Sequence, residues 1–349
     1  MGRRDVPSGL PRPCRLAALG LASLLVFACR PDGDDRYDLT YDTAAPRRAP
    51  ATDGVSVGVA VSNTARYVTT LTGLRNPESV RYDPEQDVYF ISNMAGYGSV
   101  KDGNGYIVRA SAADLRQSSI FARSGTGGAT LDAPKGMAIS GDTLWVADID
   151  KLRGFHRVTG RSLATVDFAP LGAVLLNDVA LGPGGELRVT DTGIRMTEIG
   201  VWFVGPARVF AVGPGATIRT VADGSAIGQP NGIAWDSTAQ RWVVVSFDRF
   251  RWDVRAMSGS GSVDSLFSRA RPGQLDGVEV LPTGGILYAS WADSSLHLLE
   301  GGRDTQVIRE VRAPADLGFD TRRHRVAIPM PTMGWVQLWS MTRAEAAVR

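Results

Sequence analysis

Six short segments of this 349-residue chain share one position, directly before a repeated strand pattern, and in five of them it holds a polar or charged side chain that could do chemistry. We call this position the slot, and its residues in chain order are Glu78, Lys135, Asn177, Asn231, Asp276 and Ala315. Two carboxylates and two carboxamides supply the oxygen donors that Ca²⁺ prefers. The slots contain neither histidine nor cysteine, which disfavours zinc and copper. The slots therefore predict a site for Ca²⁺ or another hard divalent cation, with Glu78, Asn177, Asn231 and Asp276 as ligands.

Turn formation is the alternative explanation for these residues. Asn-Gly, Asp-Gly and Asn-Asp are common turn pairs, so a single slot such as Asn231-Gly232 would carry little weight. Four oxygen-bearing residues in six equivalent slots favour ligation over turn chemistry, provided that the slots converge.

The elements that follow the slots are copies of one hairpin. Each copy has a short alternating run, a turn rich in Asp, Pro, Gly or Ser, and a denser apolar run, which is typical of two antiparallel strands. The copies are Ser79–Asn93, Gly136–Asp150, Asp178–Thr192, Gly232–Phe247, Gly277–Trp291 and Asp316–Met330. The second strand of each is apolar on both faces, as expected for a strand between two neighbouring sheets.

The spacing of the copies predicts an all-β, six-bladed β-propeller with four antiparallel strands per blade. Each interval leaves room for two further strands, and units of about 40 to 55 residues suit propeller blades. The sixth copy is followed by a third strand at Gly334–Met341 and then by a short tail. The N-terminal strand Tyr67–Leu71 should therefore complete the last blade and close the ring, which removes an unpaired edge.

The N-terminal residues do not belong to this fold. Residues 1–28 combine four arginines with an uncharged run that is too short to span a bilayer, which is typical of a secretory signal peptide. The run ends in Val26-Phe27-Ala28-Cys29, which resembles a bacterial lipobox and predicts lipid modification of Cys29. An ordinary secreted protein with a free Cys29 thiol is the alternative. Residues 29–54, rich in Asp, Pro and Arg, predict a flexible linker, and residues 55–349 the propeller.

Charge and cysteine content limit the partners. The formal net charge is +2, and it becomes −1 once residues 1–28 are removed, which argues against a nucleic-acid partner. Cys14 leaves with the leader, so no disulfide is expected in the mature domain. We expect an exported monomer, anchored to a membrane by its lipid, in the periplasm or on the cell surface.

The slot segments PESVRYD, LNDVALG, PNGIAWD and LDGVEVL resemble the SMP-30/gluconolactonase/LRE-like family and its diisopropylfluorophosphatase and paraoxonase relatives. The resemblance spans roughly residues 67 to 341. It implies a six-bladed propeller with calcium in the central tunnel and hydrolysis of lactones or related esters. It further implies that Glu78, Asn231 and Asp276 are metal ligands, and that Asn177 is a ligand or contacts the substrate.

Two slot residues are candidates for catalysis. Asp276, or water on the metal, would act as base or nucleophile, although Asp276 could equally serve only as a ligand. Lys135 could hold an anionic substrate or the oxyanion, or it could turn away from the tunnel. Its charge, and the lack of a histidine in any slot, support a second hypothesis, a non-catalytic lipid-anchored binding or scaffold module with a structural calcium. Other propeller chemistry, of quinoprotein or lyase type on sugars, is the third.

Loops after the second strands should surround the same mouth of the tunnel and form a substrate pocket. The candidate pocket residues are Asn93, Tyr97, Arg195, Arg249, Trp252 and Trp291. Aromatic side chains beside arginines would suit an apolar or weakly anionic lactone or ester. The three histidines, His156, His297 and His324, are predicted in third strands or a turn and therefore in structural roles.

Overall fold

Six four-stranded antiparallel sheets are arranged in a ring, which confirms the predicted six-bladed β-propeller. The structure is a computed structural model that describes residues 41–42 and 63–343. The signal peptide, Cys29 and the rest of the expected linker lie outside these residues. Within the described part of the chain, no helix is long and apolar enough to cross a membrane.

Each of the first five blades uses four strands in chain order, from the tunnel outward. Blade 1 contains Pro77–Asp83, Val88–Asn93, Tyr106–Ser111 and Ser118–Arg123. Blade 2 contains Pro134–Ser140, Thr143–Asp148, Lys151–His156 and Ser162–Asp167. Blade 3 contains Leu176–Leu181, Leu187–Asp191, Arg208–Val212 and Ile218–Asp223. Blade 4 contains Pro230–Asp236, Arg241–Ser246, Trp252–Met257 and Val263–Arg269. Blade 5 contains Leu275–Val280, Ile286–Ser290, Ser295–Glu300 and Arg303–Arg309.

The last blade is closed by the N-terminal strand, as the sequence predicts. Its inner strands are Gly318–Asp320, Arg325–Met330 and Trp335–Arg343, and Asn63–Leu71 pairs antiparallel with the last of these. A two-residue strand, Tyr41–Asp42, pairs in turn with Leu71 and Thr70 and adds a fifth strand that the sequence did not predict.

Blade 3 carries an insertion. Between its second and third strands the chain forms an extra hairpin, Ile194–Thr197 paired with Gly200–Phe203. We call residues 194–204 the crown hairpin. It lies at the slot end of the propeller, because the preceding strand ends at Asp191, which pairs with Leu176 beside the slot. The remaining short elements are the 3₁₀ turns Ala169–Leu171, Pro183–Gly185 and Pro214–Ala216 and the one-turn helix Gly224–Ile227.

The hydrophobic core is divided into one cluster between each pair of neighbouring blades. Second strands supply both of the clusters beside them, as their doubly apolar pattern predicts. In blade 1, Tyr89 and Ile91 pack toward blade 6, whereas Phe90 packs toward blade 2. In blade 4, Trp242 and Val243 likewise belong to opposite clusters. Burial of alternate side chains on opposite faces fixes the register of each strand.

Histidine placement agrees with the structural roles expected from sequence. His156 and His297 lie in third strands, and His324 in a turn. The imidazole of His297 is held between the carboxylates of Asp293 and Asp304, at 3.1 Å from each. Burial lowers the pKa of His297, but these hydrogen bonds outweigh it and the net shift is upward.

Glycine after the slot allows the inner strands to approach closely around the axis. A Cβ on Gly277 would lie 2.5 Å from Asp316 Cα and 2.7 Å from Ala315 O, and one on Gly232 would lie 2.4 Å from Asp276 O. Because these neighbours are backbone atoms, no side-chain rotation can relieve the overlap.

We predict that Gly277→Ala destabilises the propeller by about 1–3 kcal/mol, which lowers the Tm by about 2–6 °C, because the inner strands of blades 5 and 6 must separate. Gly213→Ala is the matched control, since nothing lies within 4 Å of its added Cβ and its φ is −96°. Thermal unfolding of both variants measures the difference. Equal Tm values for the two would show that inner-strand contact does not limit stability.

Candidate functional site

The slots of neighbouring blades are joined by direct contacts around the axis. Asp316 N donates to Glu78 O at 2.9 Å and links blade 6 to blade 1. Thr190 Oγ1 of blade 3 donates to Asn231 O of blade 4 at 2.6 Å. The Cβ position of Gly136 lies 2.8 Å from Asn177 O, and the glycines of blades 4 and 5 approach the next slots in the same way. The structure therefore brings the predicted slot residues together at one end of the tunnel.

The slot side chains are buried, and two of their carboxylate oxygens and two oxygens of neighbouring side chains have no protein donor. Among the described residues, Glu78 Oε2, Asp276 Oδ1, Asn93 Oδ1 and Asp316 Oδ1 are buried without a hydrogen-bond partner. Asn177 Nδ2 donates to Thr192 Oγ1 at 3.0 Å, which leaves its carbonyl oxygen as the free end of the amide. Unpaired buried oxygens are costly, so their clustering suits a cation.

Amide oxygens are necessary to this set. Counting only aspartate, glutamate, histidine and cysteine, residues 63–343 contain no group of three that could hold a metal ion. Any cation here would rely on Asn177 and Asn231 together with Glu78 and Asp276.

Mutual repulsion and burial raise the pKa values of the slot carboxyls and of neighbouring Asp316. Burial raises the pKa of Glu78 well above its ordinary value, Asp276 raises it further and Lys135 lowers it. Burial also raises the pKa of Asp276, with the Asp316 carboxylate adding to the effect. Burial raises the pKa of Asp316 to about 6, although Arg81 and Ser79 oppose the shift. A positive charge among them would lower the pKa values of all three carboxyls and favour their ionised forms.

Lys135 belongs to the ring and is almost completely buried, with 1% of its surface exposed. Its ammonium donates to Gly98 O and to Ala133 O, both at 2.9 Å. Burial lowers the pKa of Lys135, whereas Glu78 and Asp148 raise it. The contact with Gly98 also fixes the loop after the second strand of blade 1, and this loop pairs with the crown hairpin through Ser99 and Met196.

Three of the predicted pocket residues lie near the slots or in the loop that contacts Lys135. Asn93 is buried and pairs in register with Pro77, next to Glu78. Trp291 packs edge-on against Phe247, its indole N–H donates to Pro314 O at 3.1 Å beside the sixth slot, and its proximity lowers the pKa of Asp276 against the larger effect of burial. Tyr97 is half-buried in the loop that Lys135 holds.

The other members of that prediction lie farther out or elsewhere. Arg195 is exposed on the crown hairpin, and the exposed Arg249 has its guanidinium 5.7 Å from the centre of the Phe203 ring. The assignment of Trp252 to the pocket is wrong. Its side chain is fully buried between blades 4 and 5, where the indole donates to Tyr288 Oη at 3.0 Å. Trp252 is the first residue of the third strand of blade 4, Trp252–Met257, and therefore lies outside the loop that precedes this strand.

Carboxylates at the ends of second strands hold the segments before the slots. Asp148 accepts from the backbone N–H of Ala133 at 2.8 Å, and Asp191 accepts from that of Leu175 at 2.9 Å. Arg153 and Arg208 pair with these two carboxylates. Their role is hydrogen bonding within the blade.

An ion pair crosses the tunnel beneath the slots, and sequence reasoning did not identify it. Arg81 of blade 1 donates to Glu279 Oε1 of blade 5 at 2.8 Å and to Met137 O of blade 2 at 2.7 Å. Blades 2 and 5 lie opposite each other, so the guanidinium spans the axis. The signal was present in the aligned repeats, because the third position after each slot is Arg81, Ala138, Ala180, Ala234, Glu279 or Gly318. Two opposite charges among four small residues mark a pair.

Comparisons with solved structures place this chain among β-propellers. A gluconolactonase from Xanthomonas campestris has a TM-score of 0.62 and 15% identity, over 82% of this chain and 99% of its own. A second protein, assigned as a gluconolactonase, gives 0.58 and 18%, over 88% of this chain and 100% of its own. A virginiamycin B lyase from Staphylococcus aureus gives 0.53 and 11%, over 76% and 95%.

No family model and no curated protein matches the sequence. The structural neighbours thus include gluconolactonases, as the resemblance implied, and at these identities the likeness establishes the fold.

We predict that Arg81→Met destabilises the protein by about 2–3 kcal/mol, because it leaves the Glu279 carboxylate without its cation in the tunnel. The double variant Arg81→Met/Glu279→Met should recover most of this loss, since apolar side chains can replace a buried pair. Urea unfolding of the two single variants and the double variant gives the coupling.

The cost of Arg81→Met should also depend on pH. Burial raises the pKa of Glu279 to about 7 against the opposing effect of Arg81. A carboxyl with a raised folded-state pKa destabilises the fold increasingly as the pH rises above its unfolded value. The variant should therefore lose less stability at pH 5, where Glu279 is protonated, than at pH 8. A pH-independent loss in Arg81→Met and no recovery in the double variant would contradict the pairing.

Proposed function

We propose that this protein is a divalent-cation-dependent hydrolase of lactones or related esters, with Ca²⁺ as the expected cation. The observation that carries the proposal is the clustering of buried slot oxygens that lack protein donors, namely those of Glu78 and Asp276, beside the amides of Asn177 and Asn231. The gluconolactonases among the structural neighbours support lactones as the substrate class.

The charges around the axis support binding of a cation. Five carboxyl groups influence one another there: Glu78, Asp178, Asp276, Glu279 and Asp316. Arg81 and Lys135 are the cationic side chains that act on them. With all five carboxyls ionised the acidic excess is three, and a divalent ion would offset most of it and favour that ionised state. Oxygen donors of mixed carboxylate and amide type fit Ca²⁺.

Each slot residue has a definable task in ester hydrolysis. Glu78, Asn177, Asn231 and Asp276 would hold the cation, which when bound supplies Lewis-acid polarisation of the lactone carbonyl. Asp276 can accept a proton from the attacking water through its unpaired Oδ1. Lys135 donates two of its three ammonium hydrogens to Gly98 O and Ala133 O, and the third can donate to the oxyanion.

Lys135 is also the observation that favours a second candidate function. The Lys135 ammonium donates to the backbone carbonyls of Gly98 and Ala133, which is a structural role and leaves the slots without an identified base other than a ligand. In that case the protein is a lipid-anchored binding or scaffold module in which a calcium ion only stabilises the propeller. A propeller chain from a nidogen–laminin complex, with a TM-score of 0.54 and 14% identity, shares the fold.

We predict that the full-length protein hydrolyses members of a lactone panel, and that Asp276→Asn reduces kcat at least about 100-fold, because both the base and a ligand are lost. A chelator should abolish turnover, and added Ca²⁺ should restore it. Lys135→Met should lower kcat with a smaller effect on KM, since the oxyanion forms only in the transition state. Initial rates for each lactone measure these effects.

Asp264→Asn is the matched control, because this aspartate is exposed on the outer strand of blade 4 and should leave the rates unchanged. Binding of Ca²⁺ that raises the Tm without turnover of any lactone would contradict the hydrolase and favour the scaffold. Turnover that persists after chelation and in Asp276→Asn would contradict the assignment of the slot residues as cation ligands and of Asp276 as the base.

We further propose that the protein is exported and anchored to a membrane through lipid on Cys29. The observation behind this is the sequence of residues 16–29, an uncharged run that ends in Ala28-Cys29 after a basic leader.

We predict that Cys29→Ser moves the protein from the membrane fraction to the soluble exported fraction and abolishes incorporation of labelled fatty acid, because the thiol is the acceptor. Cys14→Ser is the control, since Cys14 lies within the expected leader and its loss should change neither readout. Fractionation after metabolic labelling measures both. Labelling that persists in Cys29→Ser would contradict the assignment.

A further inference from the structure

The crown hairpin exposes a group of large apolar side chains. Of the nine large hydrophobic residues that are exposed in the described chain, five belong to it: Ile199, Val201, Trp202, Phe203 and Val204. A sixth, Phe250, lies in the loop of blade 4 that contacts the hairpin, because neighbouring Arg249 packs over the Phe203 ring at 5.7 Å. The exposed fractions reach 85% for Ile199 and 79% for Phe250, so these side chains lack cover. Contiguous exposed apolar groups of this kind mark an interaction surface.

The geometry of the hairpin separates a face toward the tunnel mouth from a face toward solvent. Met196 packs toward the tunnel mouth, where its sulfur would lie 3.3 Å from a Cβ on Gly98. Met196 pairs with Val201 and Arg195 pairs with Trp202, and alternate pairs point to opposite faces. Trp202 and Arg195 therefore share the outward face, whereas Val201 and Phe203 lie on the face of Met196, so the hairpin exposes apolar side chains on both faces.

Basic side chains surround these apolar groups. Arg195, Arg249 and Arg251 are exposed around them, and Arg251 is paired with Asp253. The acidic residues of the hairpin and the Phe250 loop are Glu198 and the half-buried Asp248, so the basic residues remain in excess. Tryptophan and phenylalanine flanked by arginine suit the interface of a bilayer, where the rings enter the headgroup region and the guanidinium groups meet phosphates. The charge is complementary to anionic phospholipids.

The start of the described chain is consistent with a membrane at this end of the propeller. Tyr41 pairs with Leu71, at the end of the outer strand that leads to the slot of blade 1, so it lies at the slot end like the hairpin. Tyr41 follows Cys29 by twelve positions, with eleven residues between them. A chain of that length spans at most about 40 Å.

We propose that the crown hairpin and the Phe250 loop form a docking surface for an anionic phospholipid bilayer, separate from the lipid on Cys29. Such docking turns the mouth of the tunnel toward the membrane. This proposal stands independently of lactone hydrolysis.

The test uses residues 29–349 with Cys29→Ser, which retain the whole closed propeller of residues 63–343 without an acylated thiol. We expect this protein to co-sediment with vesicles of phosphatidylglycerol and phosphatidylcholine, and less with pure phosphatidylcholine or at high salt. The pair Ile199→Ser/Phe250→Ser should lower the vesicle partition coefficient by about tenfold or more, because two large apolar side chains no longer enter the interface.

Val158→Ser/Leu163→Ser is the matched control, since both residues are exposed apolar side chains of blade 2, remote from the crown hairpin in the fold. It should bind like the parent. Trp202 supplies a second readout, because the other seven tryptophans are buried or half-buried. Brominated acyl chains should quench its fluorescence, and Trp202→Leu should keep the binding and lose that quenching.

Two results would overturn the proposal. The first is equal vesicle binding by the parent and Ile199→Ser/Phe250→Ser, or no binding by either. The second is concentration-dependent dimerisation of the parent in solution that the same pair of substitutions abolishes, since the surface would then be an interface between two copies.

Discussion

The close approach of six inner strands around one axis is the constraint on which the rest of this structure depends. Glycines after three of the slots leave room for the neighbouring blade, and in the other blades the corresponding side chain fills the gap. Asp178 occupies the space beside Gly136 and accepts from Ile233 N at 2.8 Å, while Ser79 Oγ donates to Asp316 at 2.6 Å. Close packing of the inner strands at the axis therefore also buries charged side chains there.

This constraint explains the electrostatics of the tunnel. Buried carboxyl groups delivered by different blades lie near one another, so burial and mutual repulsion raise the pKa values of Glu78, Asp276 and Asp316. Two cationic side chains in the tunnel oppose these shifts. Arg81 lowers the pKa values of the carboxyls near it, beneath the slots, and Lys135 lowers the pKa of Glu78 in the slot ring. A propeller can hold this arrangement because the clusters between its blades bury apolar side chains from both sides of each second strand.

Both proposed functions lie at the slot end for the same reason. Loops that leave the second strands emerge beside the slots, and Lys135 fixes one of them through Gly98. That loop pairs with the crown hairpin, so a buried charge in the tunnel is connected through backbone contacts to the exposed apolar surface. The proposed chemistry and the proposed lipid contact thus share one scaffold, although they use different residues.

The sequence by itself predicted the six blades, the ring closure by Tyr67–Leu71 and the shared end of the tunnel for the slot segments, because a repeat read in register assigns equivalent positions to equivalent places. Tertiary structure alone decided the contacts between non-equivalent positions, such as the pair of Arg81 with Glu279 across the axis. It also decided whether an aromatic residue in a loop-like stretch faces a pocket or the core, as Trp252 shows. The physical reason is that periodicity fixes which face a side chain occupies, whereas its partner depends on what other blades bring to the same space.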